Sequence, residues 1–166
     1  MSLKLDAAAA TEELFALYKE DVYRYARFTL GSPTDAEDVV QEVFLRILKS
    51  WDRFRGDAHP KTWLWTITRR CIIDRARKLE KDKNTVPFEE RLGGHTDNHE
   101  SKILEVEGLL QTLSQDQREV VTLRLIQDWS TADTARILGW SESKVKTTLH
   151  RAVTQMRAGE GTEYGV

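Results

Sequence analysis

The chain has 166 residues, 40% of them hydrophobic and 31% charged, with a net charge of −2, enough for one ordinary domain or two small ones with real cores. No apolar run approaches the roughly 20 residues needed to span a bilayer, and the N-terminus lacks a signal-peptide pattern, so no membrane insertion and a cytoplasmic location are expected. The single cysteine, Cys71, excludes an internal disulfide and a cysteine-rich zinc site and reads as a small buried apolar residue.

The net charge conceals segregation. Residues 1–52 sum to −4, residues 53–83 to +6, residues 84–113 to −4 and residues 114–166 to zero. One basic block between acidic ones suggests two kinds of partner surface.

A first helix is predicted from about Thr11 to Leu30, where Leu14, Phe15, Tyr18, Val22, Tyr25 and Phe28 recur at helical spacing and Gly31 closes the run. The Ala7 to Ala10 stretch before it reads as a frayed terminus. Thr34 with Glu37 forms a capping box for a second helix, and Asp35 suits the positive end of its dipole. Val39, Val40, Val43, Phe44, Ile47, Leu48 and Trp51 mark its apolar face, whereas Asp38, Gln41, Glu42 and Arg46 mark the other. Those polar residues are either plain solvated surface or an acidic docking face for a basic partner.

Arg53 to His59 reads as a polar loop turning at Gly56, and Pro60 opens a third helix that runs to about Lys81. The block Arg53 to Lys83 holds ten Lys/Arg against four Asp/Glu. On a helical wheel Trp63, Leu64, Ile67 and Cys71 share one side, and Lys61, Trp65 and Arg69 another. Cations beside a stackable ring suit single-stranded or opened nucleic acid. A solvated basic helix with two core tryptophans fits the same residues equally well.

From Asn84 to Glu100 the periodicity fails, and Pro87, Gly93, Gly94 and Asn98 read as a flexible linker. His95 and His99 lie four apart there, but without a helix pattern or a third ligand they read as plain linker residues and not as a metal site. A second helical group follows. Ile103, Val106, Leu109, Leu110 and Leu113 form one amphipathic helix, and Ser114 with Gln117 caps the next, which carries Val120, Val121, Leu123, Leu125 and Ile126. Ser130 with Asp133 starts a short helix holding Ala135, Ile137 and Leu138. Gly139 ends it, and Ser141 caps a last helix with Val145, Leu149, Ala152 and Met156 inward. No strand pattern and no internal repeat stand out.

Ser130 to Met156 has the layout of a helix-turn-helix, in which small Ala135 lets the helices cross closely and Gly139 makes the turn. The second helix would then present Ser141, Ser143, Lys144, Lys146, Thr147 and Thr148 to the major groove, with His150 and Arg151 nearer phosphates. An ordinary three-helix bundle with a polar surface is the competing interpretation.

Three stretches, DAEDVVQEVFLRILKSWDRFRG, KTWLWTITRRCIIDRARK and LSQDQREVVTLRLIQDWSTADTARILGWSESKVKTTLHRA, together resemble the extracytoplasmic-function (ECF) group of bacterial sigma factors. The resemblance implies an all-α protein of two small helical domains. Sigma domain 2 would occupy residues 1–83, a flexible linker 84–102, sigma domain 4 with its helix-turn-helix 103–159, and a tail 160–166. It implies a non-enzymatic protein without cofactors or metals that binds core RNA polymerase and promoter DNA under the control of an anti-sigma factor. By resemblance, Asp38, Gln41, Glu42, Val43 and Phe44 belong to the face that docks on the clamp helices of the largest polymerase subunit, with Phe44 packed inward. Lys61, Trp65, Arg69, Arg70 and Arg77 would contact the minus-ten element, and the Phe54 to His59 loop would hold a flipped base while Trp63 supports the core. The recognition helix would read the minus-thirty-five element. That helix is less cationic than the family pattern, with Thr148 and Val153 where basic residues are common and Ala132-Asp133-Thr134 where two acidic residues are common. Arg136 and Arg124 are the candidates to supply the missing charge. Two other classes compete with this one. A polymerase-independent repressor or activator with the same motif leaves the acidic and aromatic helices unexplained, and an enzyme finds no nucleophile–base pair, metal spacing or phosphate loop.

Overall fold

In the computed structural model, which describes residues 6–82 and 98–163, seven α-helices account for nearly all of the order and no strand occurs among the described residues. Helix α1, Ala7–Leu30, begins on Asp6, whose carboxylate accepts a hydrogen bond from the Ala9 amide at 2.7 Å. The alanine run expected to fray is therefore capped and helical. Gly31 ends α1 in the left-handed region at φ 72°, where a side chain is disfavoured. A Cβ there would also come within 2.7 Å of the Gln111 side chain, so the glycine admits an element from the far half of the chain.

Helix α2, Pro33–Ser50, is capped by Ser32, which accepts from the Asp35 amide, with Pro33 at the first position. The Thr34–Glu37 box expected from the sequence is not used. Proline at the first helical position sets the start two residues earlier, and its missing N–H is one of the donors a helix leaves unpaired anyway. A 3-10 turn, Trp51–Arg53, leads into a loop and then into α3, Pro60–Lys81. Val22, Tyr25, Ala26, Ala36, Val39, Val43, Ile47, Leu64, Ile67 and Ile72 bury themselves between these three helices.

Helix α4, Asn98–Leu110, starts before residue 103, where the linker was expected to end. Its first turns are fastened by a tertiary contact: Arg27 of α1, 1% exposed, pairs with Glu100 at 2.6 Å and Glu107 at 3.1 Å. Such a contact leaves no periodic trace in the sequence. The expected linker residues 84–97, His95 and the side chain of His99 lie outside the described residues. Helix α5, Gln115–Val121, opens on a complete Ser114–Gln117 capping box and continues as a π-helical turn, Thr122–Ile126. Helices α6, Thr131–Leu138, and α7, Glu142–Glu163, complete the chain.

The two halves share one core. Val120, Leu123, Trp129, Ala135, Leu138 and Val145 are continuous with the buried residues of α1–α3. Phe28 of α1 sits instead among Ile103, Leu110, Leu113, Val121 and Ala152.

Candidate nucleic-acid interface

Helices α2 and α3 enclose an open cleft. Asp38, Gln41 and Glu42 line it and are exposed. Val43 and Phe44, assigned by resemblance to the same docking surface, point away from it, as was expected of Phe44. Val43 is fully buried, and Phe44 meets Phe15 edge-on with ring centroids 5.1 Å apart. Both can support the cleft but neither offers a direct contact, because residues one or two positions beyond Glu42 rotate to the apolar side of the helix. Arg75 bridges Asp35 at 2.8 Å and Asp38 at 2.9 Å, and Arg46 bridges Glu42 and Asp74, each at 3.0 Å. Leu45, half-exposed, adds an apolar spot. Cys71 lies at the cleft floor, where burial pushes its thiol up to about 11 and leaves it unreactive.

On the same pair of helices, a second groove is basic and aromatic. Arg46, Lys49, Arg53, Trp63 and Arg70 line it. A smaller pocket adjoins it, bounded by Arg53, Phe54, Arg55, Asp57, Ala58 and Trp63. Trp51, Phe54 and Trp63 form an aromatic trio: Trp51 and Phe54 stack at 5.4 Å, and Phe54 and Trp63 lie 4.8 Å apart. Gly56, at φ 78°, turns the loop that closes this pocket. His59 caps α3 by accepting from the Lys61 amide at 3.2 Å. Here a partly exposed ring stands among cations, the combination that holds an unstacked base beside its phosphates.

Trp65 is not there. The wheel correctly separates it from Trp63, but the ring expected outward is the buried one and Trp63 the partly exposed one. Trp65 is 0% exposed, and its indole N–H donates to Gln127 Oε1 at 3.0 Å. Its ring meets Tyr18 edge-on at 5.9 Å and Trp129 at 5.3 Å. The cause is a covering element about sixty residues later in the chain. Asp128, in the left-handed region at φ 57°, reverses the backbone so that Gln127 and Trp129 both reach α3. Lys61 and Arg69 lie along the same row. The Lys61 ammonium sits 4.7 Å from the Trp129 ring centre, with Tyr18 and Trp65 each at 5.4 Å. Arg69 pairs with Glu119 at 3.2 Å, and the Tyr25 hydroxyl donates to the same carboxylate at 3.0 Å. Burial pushes the Glu119 carboxyl above its ordinary range, against the pull of Arg69 and Tyr25. Of the five cations and rings expected to act together on α3, only Arg70 and Arg77 are exposed.

The helix-turn-helix takes the expected form. Ser130 accepts from the Asp133 amide, Gly139 adopts φ 71° at the turn, and Ser141 accepts from the Lys144 amide at 3.1 Å. Val145 and Ala152 face inward, whereas Arg136, Ser141, Ser143, Lys144, Lys146, Thr147, His150 and Arg151 are exposed and Thr148 is half-buried. Lys144 rests over the Trp140 ring at 4.1 Å. Arg124, a candidate source of extra positive charge, is instead spent on the Trp129 carbonyl. Of the two candidates only Arg136 faces solvent.

Comparisons with known proteins follow the same division. Sigma-70 region 2 matches residues 14–82, and Sigma-70, region 4 matches residues 103–156. The ECF RNA polymerase sigma factor SigX of Bacillus subtilis is 34% identical over 155 residues, covering 87% of this chain and 80% of SigX. The chain belongs to the ECF sigma factors. It is thus a transcription initiation factor that directs transcription to promoters. The ECF RNA polymerase sigma factor SigL of Mycobacterium tuberculosis is also 34% identical, over 91% of this chain and 90% of SigL. Among solved structures, CnrH in complex with the cytosolic domain of CnrY matches with a TM-score of 0.73 at 25% identity, over 93% of this chain and 90% of that one. The sigma factor RpoE of Bartonella quintana, in complex with the anti-sigma factor NepR, shares the fold at a TM-score of 0.76 and 24% identity, over 89% of this chain and 94% of that one.

Within region 2, sequence reasoning placed Arg46 on the polar side of the second helix but passed over Asp74 and Arg75 in the cleft and Lys49 and Arg53 in the basic groove. The Glu42–Arg46 spacing of four was a usable signal. The partnership of Asp35 with Arg75 was not, since forty residues separate them. No described helix is long and apolar enough to cross a membrane.

Proposed function

We propose that this sigma factor works through three surfaces in turn. The cleft bearing Asp38, Gln41 and Glu42 docks on the clamp helices of the largest subunit of core RNA polymerase. The groove of Lys49, Arg53, Trp63 and Arg70 holds the opened minus-ten strand, with the pocket beside Phe54 taking a flipped base. Arg77 extends the exposed basic row along α3. The recognition helix, with Ser141, Ser143, Lys144, Lys146 and Thr147 at its start and His150 and Arg151 further on, reads the minus-thirty-five element. Arg136 on the preceding helix reaches phosphates.

The observation that carries this reading is the aromatic trio set among cations beside an exposed acidic cleft, both in one three-helix unit. A helix-turn-helix repressor acting without polymerase needs neither. The protein holds DNA in place and stabilises its opened form, so it performs no bond chemistry and needs no metal or cofactor. It works in the cytoplasm, where polymerase is. CnrH and the B. quintana RpoE were solved with CnrY and with an anti-sigma factor, respectively, and the CnrH match spans both halves of this chain. An anti-sigma partner for this chain follows from that likeness.

The test is reconstituted transcription. The purified chain with core polymerase should start transcription at specific promoters, and Glu42→Lys should abolish this while the protein stays folded. Normal transcription by that variant would remove the docking assignment. Tight duplex binding without polymerase would favour the regulator instead.

A further inference from the structure

We propose that the C-terminal half is a lid on α3: the free chain is closed, and Lys61, Trp65 and Arg69 reach nucleic acid only after the loop and helix covering them move away. This rests on the reading that the basic block handles the opened minus-ten strand.

The three residues form one row at i, i+4 and i+8, and each is held by the other half of the chain. Trp129 lies over Lys61, Gln127 and Trp129 hold Trp65, and Glu119 pairs with Arg69. The exposed cations Arg70 and Arg77, on the same helix, have no such cover. What covers the row resembles a ligand in its chemistry. An aromatic ring lies under the ammonium and tilted against the indole, and a carboxylate is set on the guanidinium, much as a base and a phosphate could be. An intramolecular mimic of this kind competes directly with the strand it imitates.

The latch is also built to part. A buried ion pair adds little net stability over apolar packing, because desolvating the charges offsets their attraction. Glu119 is 0% exposed, yet its Oε2 has no hydrogen-bond partner among the described protein atoms. Val120, Leu123 and Trp129 make the rest of the seam apolar, so the buried polar pair is its weak point. A second group of contacts, Arg27 with Glu100 and Glu107 and Phe28 in the second core, lies at the other end of α1 and can act as the anchor while the latch opens.

The test uses the full-length chain. Glu119→Arg places two cations together and should open the latch. Small-angle scattering should show a larger radius of gyration at unchanged helix content. Binding of a short single-stranded oligonucleotide carrying a minus-ten sequence should tighten about tenfold. A wild-type chain already extended in solution would overturn the proposal, as would a variant that is extended and helical yet binds no tighter. A converse variant keeps the idea testable if Glu119→Arg misfolds. The Gln127 side chain donates to the Asp21 carbonyl at 2.8 Å, so Asp21→Cys with Gln127→Cys, joined by a short bis-methanethiosulfonate linker that reduction releases, should clamp the latch. The clamped protein with core polymerase should fail to open promoters, and reduction should restore opening. Equal opening in both redox states would overturn the lid. The reading beneath it has its own control: Trp63→Ala and Arg70→Ala should weaken oligonucleotide binding in the opened variant. If they do not, the groove assignment fails whatever the scattering shows.

Discussion

Trp63 and Trp65 stand two residues apart on one basic helix and end in opposite surroundings. Trp63 lies half-buried beside a loop, with Arg53 and Arg70 lining the same groove. Trp65 is 0% exposed and donates its indole hydrogen to Gln127. Composition and local charge are the same for both, so neither decides the outcome. What decides it is the element that arrives on each side: a short loop next in sequence for one ring, and a distant helix-turn segment for the other.

The comparison breaks most readily at Trp65. Replacing it by alanine should cost about 3–5 kcal/mol, as large-to-small changes in a packed core do. Thermal or urea unfolding would register this as a fall in midpoint. Trp63→Ala should lower the midpoint by much less and instead impair promoter opening in a reconstituted assay. If Trp65→Ala kept its stability, the packing role of this ring would fall.

Arg27→Met is expected to come next, costing about 3 kcal/mol, because removing one partner strands buried Glu107 without its counter-charge. Glu107→Gln should cost less, since its carboxyl is already pushed upward by burial, ahead of the opposing pull of Arg27. Denaturant midpoints would separate them, and equal losses would sink this ordering.

Glu42→Lys should change stability by no more than about 0.5 kcal/mol, as expected for an exposed side chain whose pair with Arg46 is open to water. Its effect belongs to polymerase binding, where at least a tenfold loss in affinity is expected by pull-down or anisotropy. A folded variant with unaltered affinity would show that the cleft faces nothing.

The smallest effect concerns Cys71. With the thiol raised to about 11 by burial, almost none of it is thiolate at pH 8. A thiol reagent should therefore label the native chain only at the rate of unfolding. Prompt labelling would mean that the floor of the cleft is open.

Much of the fold was legible because its signals are local. Helix periodicity, the Ser114–Gln117 box, Ser141 as cap and Gly139 as turn depend on neighbours within four residues. The choice of Ser32 over Thr34 as a cap was not clear, because both offer a hydroxyl near a helix start and only the proline between them breaks the tie. The polar set Asp38, Gln41 and Glu42 and the apolar side with Val43 could both be read from a wheel, but the pairing of Asp35 and Asp38 with Arg75 showed only in the structure. The seam was invisible. Tyr25 meets Glu119 across 94 residues and Trp65 meets Gln127 across 62, separations over which periodicity says nothing. A wheel shows that Lys61, Trp65 and Arg69 share a side; it cannot show what lands on that side.

Phe28 and Arg27 have a consequence for biosynthesis. The ribosome releases α1–α3 before α4 exists, and through that interval Phe28 has none of the residues that later enclose it. Arg27 at the same time has neither Glu100 nor Glu107. The nascent first half thus carries a sticky patch that only the second half can cover, and its folding cannot finish until Ala152, the last residue of that group, has emerged. A chain cut after residue 82 should bind an apolar dye that the full chain does not, which makes a stop codon near the middle of the message or a stalled ribosome a hazard for this protein.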